Sequence, residues 1–135
     1  MIKAVVDTNV YISAILFGGK PEEIRRLARE GKIELFISEN ILSEIAGVLK
    51  RKFYWTDWQI SEVIKEIRDF TTLTTPIVTL SVIKDDEHDN RVLECAIERN
   101  VQYIISGDEH HIQPLKEYRG IRILSPTQFL DSVKL

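Results

Sequence analysis

The chain opens with Lys3-Ala4-Val5-Val6-Asp7-Thr8-Asn9-Val10, in which a short apolar run ends abruptly at an acidic residue. A short run rich in apolar and β-branched side chains predicts a buried strand, here at about Lys3–Val6. The following residues, about Val10–Phe17, are nearly all apolar and predict a short helix that is closed by Gly18 and Gly19. A strand, an acid and a helix in succession are typical of the first unit of an α/β fold.

Strand-like and helix-like segments go on alternating along the chain. Further strands are predicted at about Glu34–Ile37, Pro76–Leu80, Tyr103–Ser106 and Ile121–Leu124. Further helices are predicted from Pro21 to Gly31, from a cap at Ser38 to about Lys50, behind the capping box Thr56-Asp57-Trp58-Gln59, at about Asp89–Arg99, and behind Ser125-Pro126-Thr127-Gln128. This alternation predicts an α/β fold with a mostly parallel sheet.

Length and composition indicate one soluble domain. A chain of 135 residues fits a single domain, 1–135, and its 44% hydrophobic and 29% charged residues are ordinary for a globular protein. No apolar run is long enough to span a membrane and the N-terminus is not a secretory signal, so we expect a cytoplasmic protein. The net charge of −3 argues against a protein that coats nucleic acid through its overall field.

Two acids follow apolar strands. Asp7 ends the first, and Asp108 comes after Tyr103-Ile104-Ile105-Ser106 and a turn at Gly107. If both strands belong to one parallel sheet, both carboxylates lie at its carboxyl edge, where open α/β sheets bind ligands. The alternative is that each acid caps the next helix or ends its strand in a turn, but the pair together favours a functional role.

Two more acids occupy unusual helical positions. Glu44 lies about 40° around its helix from the apolar Val48, so it borders the buried face. Asp89 precedes Val92 and Ala96 by three and seven residues, which places it on the core-facing stripe at the start of its helix. The alternatives are a boundary glutamate that reaches out to water and an aspartate that caps its helix.

Carboxylates brought together repel one another unless cations intervene. Mg²⁺ and Mn²⁺ are hard ions that prefer oxygen ligands. Such ions can generate a hydroxide, polarise a phosphoryl group and stabilise a leaving oxygen, which are the requirements of phosphodiester hydrolysis. A cluster of these four acids would therefore be suited to a nuclease.

The acids and their neighbours resemble the PIN-domain family, and within it the branch of VapC-like toxins of toxin–antitoxin pairs. The resemblance covers most of the chain and rests on four stretches that match in order and spacing: Val5–Val10, Leu42–Ile45, Asp86–Ala96 and Tyr103–Asp108. It implies a three-layer α/β/α sandwich around a central, mostly parallel sheet. It also implies a Mg²⁺- or Mn²⁺-dependent endoribonuclease that hydrolyses RNA phosphodiester bonds.

The resemblance assigns roles to individual residues. The catalytic and metal-binding acids would be Asp7, Glu44, Asp89 and Asp108. The supporting residues would be Asn9 and Ser106, which orient the site, and Asp86 in the acidic loop. The family often has proline where Glu87 stands and threonine where Ser106 stands, which leaves the local loop shape open.

The resemblance also implies an RNA substrate, an antitoxin partner and a homodimer. Two alternatives stay open: a non-catalytic PIN-like module that binds RNA or protein, and a housekeeping RNA-processing nuclease. A phosphatase of the haloacid-dehalogenase type would need a second acid where Asn9 stands. A receiver-type signalling domain would need an adjacent pair of acids after the first strand, which the sequence lacks.

Two apolar or aromatic segments allow two interpretations each. The run Lys50-Arg51-Lys52-Phe53-Tyr54-Trp55 could grip a phosphate backbone and stack a base. The favoured interpretation is a basic helix end that complements the helix dipole, followed by core aromatics. The apolar helix Val10–Phe17 is either a central buried helix or a dimer face.

Overall fold

The computed structural model describes residues 1–83, 87–107 and 112–133. The strands within these ranges are β1 (Ile2–Val6), β2 (Ile33–Ser38), β3 (Thr71–Thr74), β4 (Tyr103–Ile105), β5 (Glu117–Tyr118) and β6 (Ile121–Leu124). The helices are α1 (Thr8–Phe17), α2 (Gly19–Arg29), α3 (Glu39–Phe53), α4 (Asp57–Phe70), α5 (Glu87–Arg99) and α6 (Pro126–Val133), with a 3₁₀ turn at Gln113–Leu115.

The strands form one sheet in the order β3-β2-β1-β4-β6-β5. Neighbouring strands run parallel except β5, which pairs antiparallel with β6. In the inner strand β1 the side chains of Ala4, Val5 and Val6 are all buried, although successive side chains point to opposite faces. The sheet is therefore covered on both faces, as parallel sheets generally are.

The helices complete a three-layer α/β/α sandwich with a central, mostly parallel sheet, as the sequence predicted. Helix α5 packs across β1, β2, β3 and β4, while α2 and α6 pack on β2 and β6 and against each other. Two ion pairs show that α3 and α4 run antiparallel. Glu39 at the start of α3 pairs with Arg68 near the end of α4, and Lys50 near the end of α3 pairs with Asp57 at the start of α4. None of the described helices is long and apolar enough to cross a membrane.

The strand register places the ends of β1 and β4 side by side. Val6 lies beside Ile105, and the Asp7 N–H donates to the Ile105 carbonyl at 3.0 Å. The Ser106 N–H in turn donates to the carbonyl of Leu124, the last residue of β6, at 2.9 Å. Asp7 and Ser106 therefore leave the sheet together at its carboxyl edge.

The prediction of a strand at Pro76–Leu80 is wrong. The strand that follows α4 ends at Thr74, where it pairs with β2, and the chain beyond it is irregular. Pro76 has no N–H to offer a sheet ladder. The Leu80 N–H donates instead to the Glu94 carboxylate of α5 at 2.7 Å, so a helix side chain takes the place of a neighbouring strand.

The first two helices begin earlier than predicted. Helix α1 begins at Thr8 rather than Val10, because the Asp7 carboxylate accepts from the Val10 N–H at 3.0 Å and caps the first turn. Helix α2 begins at Gly19 rather than Pro21, and its first turn tolerates the proline because the N–H groups there have no partner within the helix. The cap that the sequence offered as an alternative role for Asp7 is therefore present.

Candidate active site

A small cleft opens at the carboxyl edge of the sheet. Its lining comes from the junction of β1 with α1, from α3 and from the start of α5: Asp7, Thr8, Asn9, Glu44, His88, Asp89 and Val92. The free volume is about 40 Å³, which is room for little more than a water molecule or a small ion. Three of the four acids singled out in the sequence, from three separate elements, thus line one cleft.

Asp7 is buried and held in one orientation. Its Oδ1 accepts from the Val10 N–H, and the Ser106 hydroxyl donates to its Oδ2. Ser106 is itself fully buried, and its carbonyl accepts from Gln113 Nε2 at 2.6 Å. Each carboxylate oxygen has two lone pairs, so neither of these hydrogen bonds alone saturates the oxygen that accepts it.

Glu44 meets a histidine across the cleft. Its side chain is 17% exposed, and its Oε2 lies 3.0 Å from Nε2 of His88, which is 62% exposed at the rim. The position of Glu44 beside the buried face of α3 follows from its helical spacing, as the sequence indicated. The contact with His88 does not, because it joins residues of two helices that only the folded chain brings together.

Asp89 is the third residue of α5 and is buried. Because the helix begins at Glu87, Asp89 lies within the first turn of α5. An anion in the first turn is favoured by the helix dipole. The next residue, Asn90, accepts from the Ile83 N–H at 2.8 Å and donates to the Ile83 carbonyl at 2.6 Å, which fixes the chain on both sides of the acidic loop.

Three other predicted site residues are Asn9, Asp86 and Asp108. Asn9 is exposed at the rim of the cleft, whereas Asp86 and Asp108 lie outside the described residues. Among residues 1–83, 87–107 and 112–133, no three carboxylate, imidazole or thiol groups lie close enough together to hold one metal ion. The described carboxylates are hard oxygen donors whose mutual repulsion a divalent cation would relieve, so they fit part of a site for Mg²⁺ or Mn²⁺.

A larger hollow of about 490 Å³ lies at the opposite edge of the sheet, near the starts of β1, β2 and β3. Three of the charged side chains there, those of Arg29, Glu66 and Glu34, are engaged within the chain. Arg29 pairs with Glu66 at 3.2 Å, and Thr72 donates to Glu34 at 3.1 Å. Because open α/β sheets bind ligands at the carboxyl edge, the smaller cleft is the better candidate despite its size.

The aromatic run after α3 is not a core segment. Tyr54 is 86% exposed and Phe53 is 40% exposed, so the prediction of core aromatics is wrong for both. Only Trp55 of the three packs against the core. The basic residues do occupy the last turn of α3, as predicted.

Most of the chain, including the segments that line the cleft, matches a known protein family. The family described as the PIN domain matches residues 3–110, which is most of the chain. The chain belongs to the PIN-domain family. The match begins in β1 and includes the segments that carry Asp7, Glu44 and Asp89, so the carboxylate cleft lies within the PIN domain.

The chain is also similar to individual proteins and solved structures. An uncharacterized protein of Methanocaldococcus jannaschii is 31% identical over 127 residues, which cover 90% of this chain and 81% of the relative. VapBC2 of Rickettsia felis, solved with a DNA fragment from its promoter, superposes with a TM-score of 0.64 at 14% identity over 90% of this chain and 97% of that chain. VapC20 of Mycobacterium tuberculosis, described as a toxin that cleaves the sarcin-ricin loop, gives 0.61 at 15% identity over 88% and 98%. The two structures show that the PIN fold here is that of VapC proteins.

Proposed function

We propose that this PIN-domain protein is an endoribonuclease that hydrolyses RNA phosphodiester bonds with the help of Mg²⁺ or Mn²⁺. The observation that carries the proposal is the meeting of Asp7, Glu44 and Asp89 in one cleft at the carboxyl edge of the sheet. Carboxylates that converge in one cleft repel one another unless a cation intervenes. Membership of the PIN family and the fold shared with an RNA-cleaving toxin support the proposal.

Asp7, Glu44 and Asp89 would bind one or two divalent ions together with Asp108 and water, since no single ion would contact all three of the described acids. When bound, a divalent ion would supply a lowered pKa for a coordinated water and stabilisation of negative charge on a phosphoryl group. The hydrogen bonds from the Val10 N–H and the Ser106 hydroxyl keep the Asp7 carboxylate turned in a single direction. Preorganised ligands of this kind lose little entropy when they bind a charged substrate or ion.

Two neighbouring side chains have roles that need no metal contact. The imidazole of His88 lies against Glu44 Oε2 and keeps that carboxylate in the cleft. The Asn9 amide is exposed at the rim, where its N–H₂ can donate to a phosphate oxygen of a bound strand. The chain thus offers acidic groups at the bottom of the cleft and a neutral donor at its mouth.

The cellular role we propose is that of the toxin in a toxin–antitoxin pair. The shared fold with VapBC2 and VapC20 supports this role and, with it, an antitoxin protein as partner. Expression of the wild type without a partner should arrest growth, while expression of Asp7→Asn should not. Growth that continues under both would favour a housekeeping nuclease or a non-catalytic module. The homodimer stays a prediction, which sedimentation velocity would test.

Cleavage of a labelled, structured single-stranded RNA tests the nuclease proposal. Wild type and Asp7→Asn would be purified identically and incubated with Mn²⁺, Mg²⁺ or chelator. Asparagine keeps an oxygen that can cap α1 through the Val10 N–H, so the variant loses charge but not its helix cap. A matched control is Asp69→Asn, which removes an exposed acid beside the larger hollow.

We expect the wild type and Asp69→Asn to cut only when metal is present, and Asp7→Asn to cut at least about a hundredfold more slowly. Equal cutting by all three proteins, or cutting that persists in chelator, would reject the proposal. RNA binding without cleavage by a folded wild type would favour the non-catalytic module.

A further inference from the structure

Gly47 lies in the interior of α3, where glycine is among the least favourable residues. Its backbone is not left-handed, since it is absent from the positive-φ residues of the described chain, so the backbone does not require glycine. A Cβ atom at this position would lie 2.5 Å from Nη1 of Arg51. Because Gly47 has no side chain, the Arg51 guanidinium can occupy the space beside it.

That guanidinium lies on the side of α3 that leads to the cleft. Arg51 comes seven residues after Glu44, which is about two turns and only about 20° around the helix. By folding back over Gly47, the guanidinium comes to within about one turn of Glu44 along the same face. The Arg51 side chain is exposed. Among the described residues it makes no ion pair with an acid.

The same end of α3 carries exposed aromatic rings. Tyr54 is 86% exposed and Phe53 is 40% exposed. The neighbouring Lys50 forms an ion pair with Asp57 at 3.0 Å. Arg51 and Lys52 therefore make this end of the helix locally positive, although the chain as a whole carries a net charge of −3. Cations interleaved with exposed rings match the backbone phosphates and base faces of a single nucleic-acid strand.

We propose that this surface is a track for single-stranded RNA that leads away from the cleft. Arg51 binds a backbone phosphate through its planar donors, and Tyr54 stacks on a base. From Glu44 to Tyr54 the helix rises about 15 Å, which is the scale of a few nucleotides. The inference rests on the proposed function in that the strand is taken to be substrate RNA. Arg51 is a positioning residue, because it lies outside the cleft that holds the acids.

Binding can be measured without cleavage. In the Asp7→Asn background with chelator, the affinity for a labelled single-stranded oligoribonucleotide would be followed by fluorescence anisotropy over a range of salt concentrations. Adding Arg51→Ala should weaken binding and lower the slope of log affinity against log salt by about 0.7, the value for one lost phosphate contact to a single strand. Adding Tyr54→Ala should weaken binding about tenfold and leave the slope unchanged, because stacking carries no charge. Arg119→Ala, which removes the same charge at the far edge of the sheet, should change neither.

Gly47→Ala separates binding from stability. The added methyl group would displace the guanidinium, which keeps its charge, so binding should weaken but by less than in Arg51→Ala. The melting temperature should rise or hold, because alanine favours the helix more than glycine does. A purely structural role for Arg51 would instead leave RNA affinity unchanged in both variants.

Absence of binding by Asp7→Asn itself, or unchanged affinity in Arg51→Ala and Gly47→Ala, would overturn the inference. Unchanged affinity together with metal-dependent cleavage by the wild type would overturn the track alone and leave the proposed nuclease standing. Loss of affinity in these variants without any cleavage by the wild type would support the track and reject the nuclease.

Discussion

Asn90 joins the start of α5 to the chain that precedes it, and its replacement by alanine should destabilise the fold. The side chain is 2% exposed and bonds both backbone groups of Ile83, which is also buried. Alanine would leave the Ile83 N–H and carbonyl in a buried environment without that partner. The same contacts hold the beginning of α5, the helix that places Asp89 in the cleft. Losing them should therefore disturb the candidate site as well as lower the stability of the fold.

The size of the effect follows from the two backbone groups. A buried donor or acceptor that loses its partner costs roughly 1 to 3 kcal/mol, so Asn90→Ala should lower the free energy of unfolding by about 3 kcal/mol. In a domain of this size that loss corresponds to a fall in melting temperature of roughly 10 °C. The exposed Asn40, in the first turn of α3, provides the control, since Asn40→Ala should change stability by no more than about 0.5 kcal/mol.

Thermal denaturation followed by circular dichroism measures both variants under the same conditions. We expect a large fall in melting temperature for Asn90→Ala and a negligible change for Asn40→Ala. If the two variants melt within about a degree or two of each other, the Ile83 contacts do not anchor α5 and the reasoning is refuted.

Three further predictions concern buried groups. Asp7→Ala should unfold with about 1 to 2 kcal/mol less free energy than Asp7→Asn, because only asparagine can still cap α1; thermal denaturation compares them, and equal stability would contradict the cap. Burial raises the pKa of Tyr11, whose hydroxyl has no hydrogen-bond partner among the described residues. Tyr11→Phe should therefore be as stable as wild type or up to about 1 kcal/mol more stable in urea, and should lose less stability than the wild type above about pH 10, where the unfolded tyrosine ionises. Burial also raises the pKa of the Cys95 thiol to about 12, so mass spectrometry should find it unalkylated in the native protein at neutral pH and alkylated after unfolding.

The parallel sheet and the positions of the acids could be predicted because they depend on local pattern. The apolar run before Asp7 predicts a buried strand, and its abrupt end predicts an acid at the sheet edge. The spacing of Glu44 from Val48 predicts a side chain at the border of the buried face, where its exposure is 17%. Both depend on fixed periods of strand and helix.

What could not be predicted depends on partners that are distant in sequence. Residues 76–80 have the composition of a strand. The Leu80 N–H, however, donates to the Glu94 carboxylate instead of to the carbonyl of a neighbouring strand. Strand β5 has two residues, too few to show an alternating pattern. The Glu44–His88 contact and the fold of Arg51 over Gly47 depend on side-chain conformation, which periodicity does not determine.

Direct titration of Mn²⁺ into the folded protein tests the central claim, that the carboxylates of the cleft hold a divalent ion. Isothermal calorimetry would compare the wild type with Asp7→Asn and Glu44→Gln, and circular dichroism would confirm that all three are folded. We predict that the wild type binds Mn²⁺ and that each variant binds it at least about tenfold more weakly, since each loses one oxygen ligand's charge. A folded wild type that binds no Mn²⁺, or variants that bind it as tightly as the wild type, would contradict the claim.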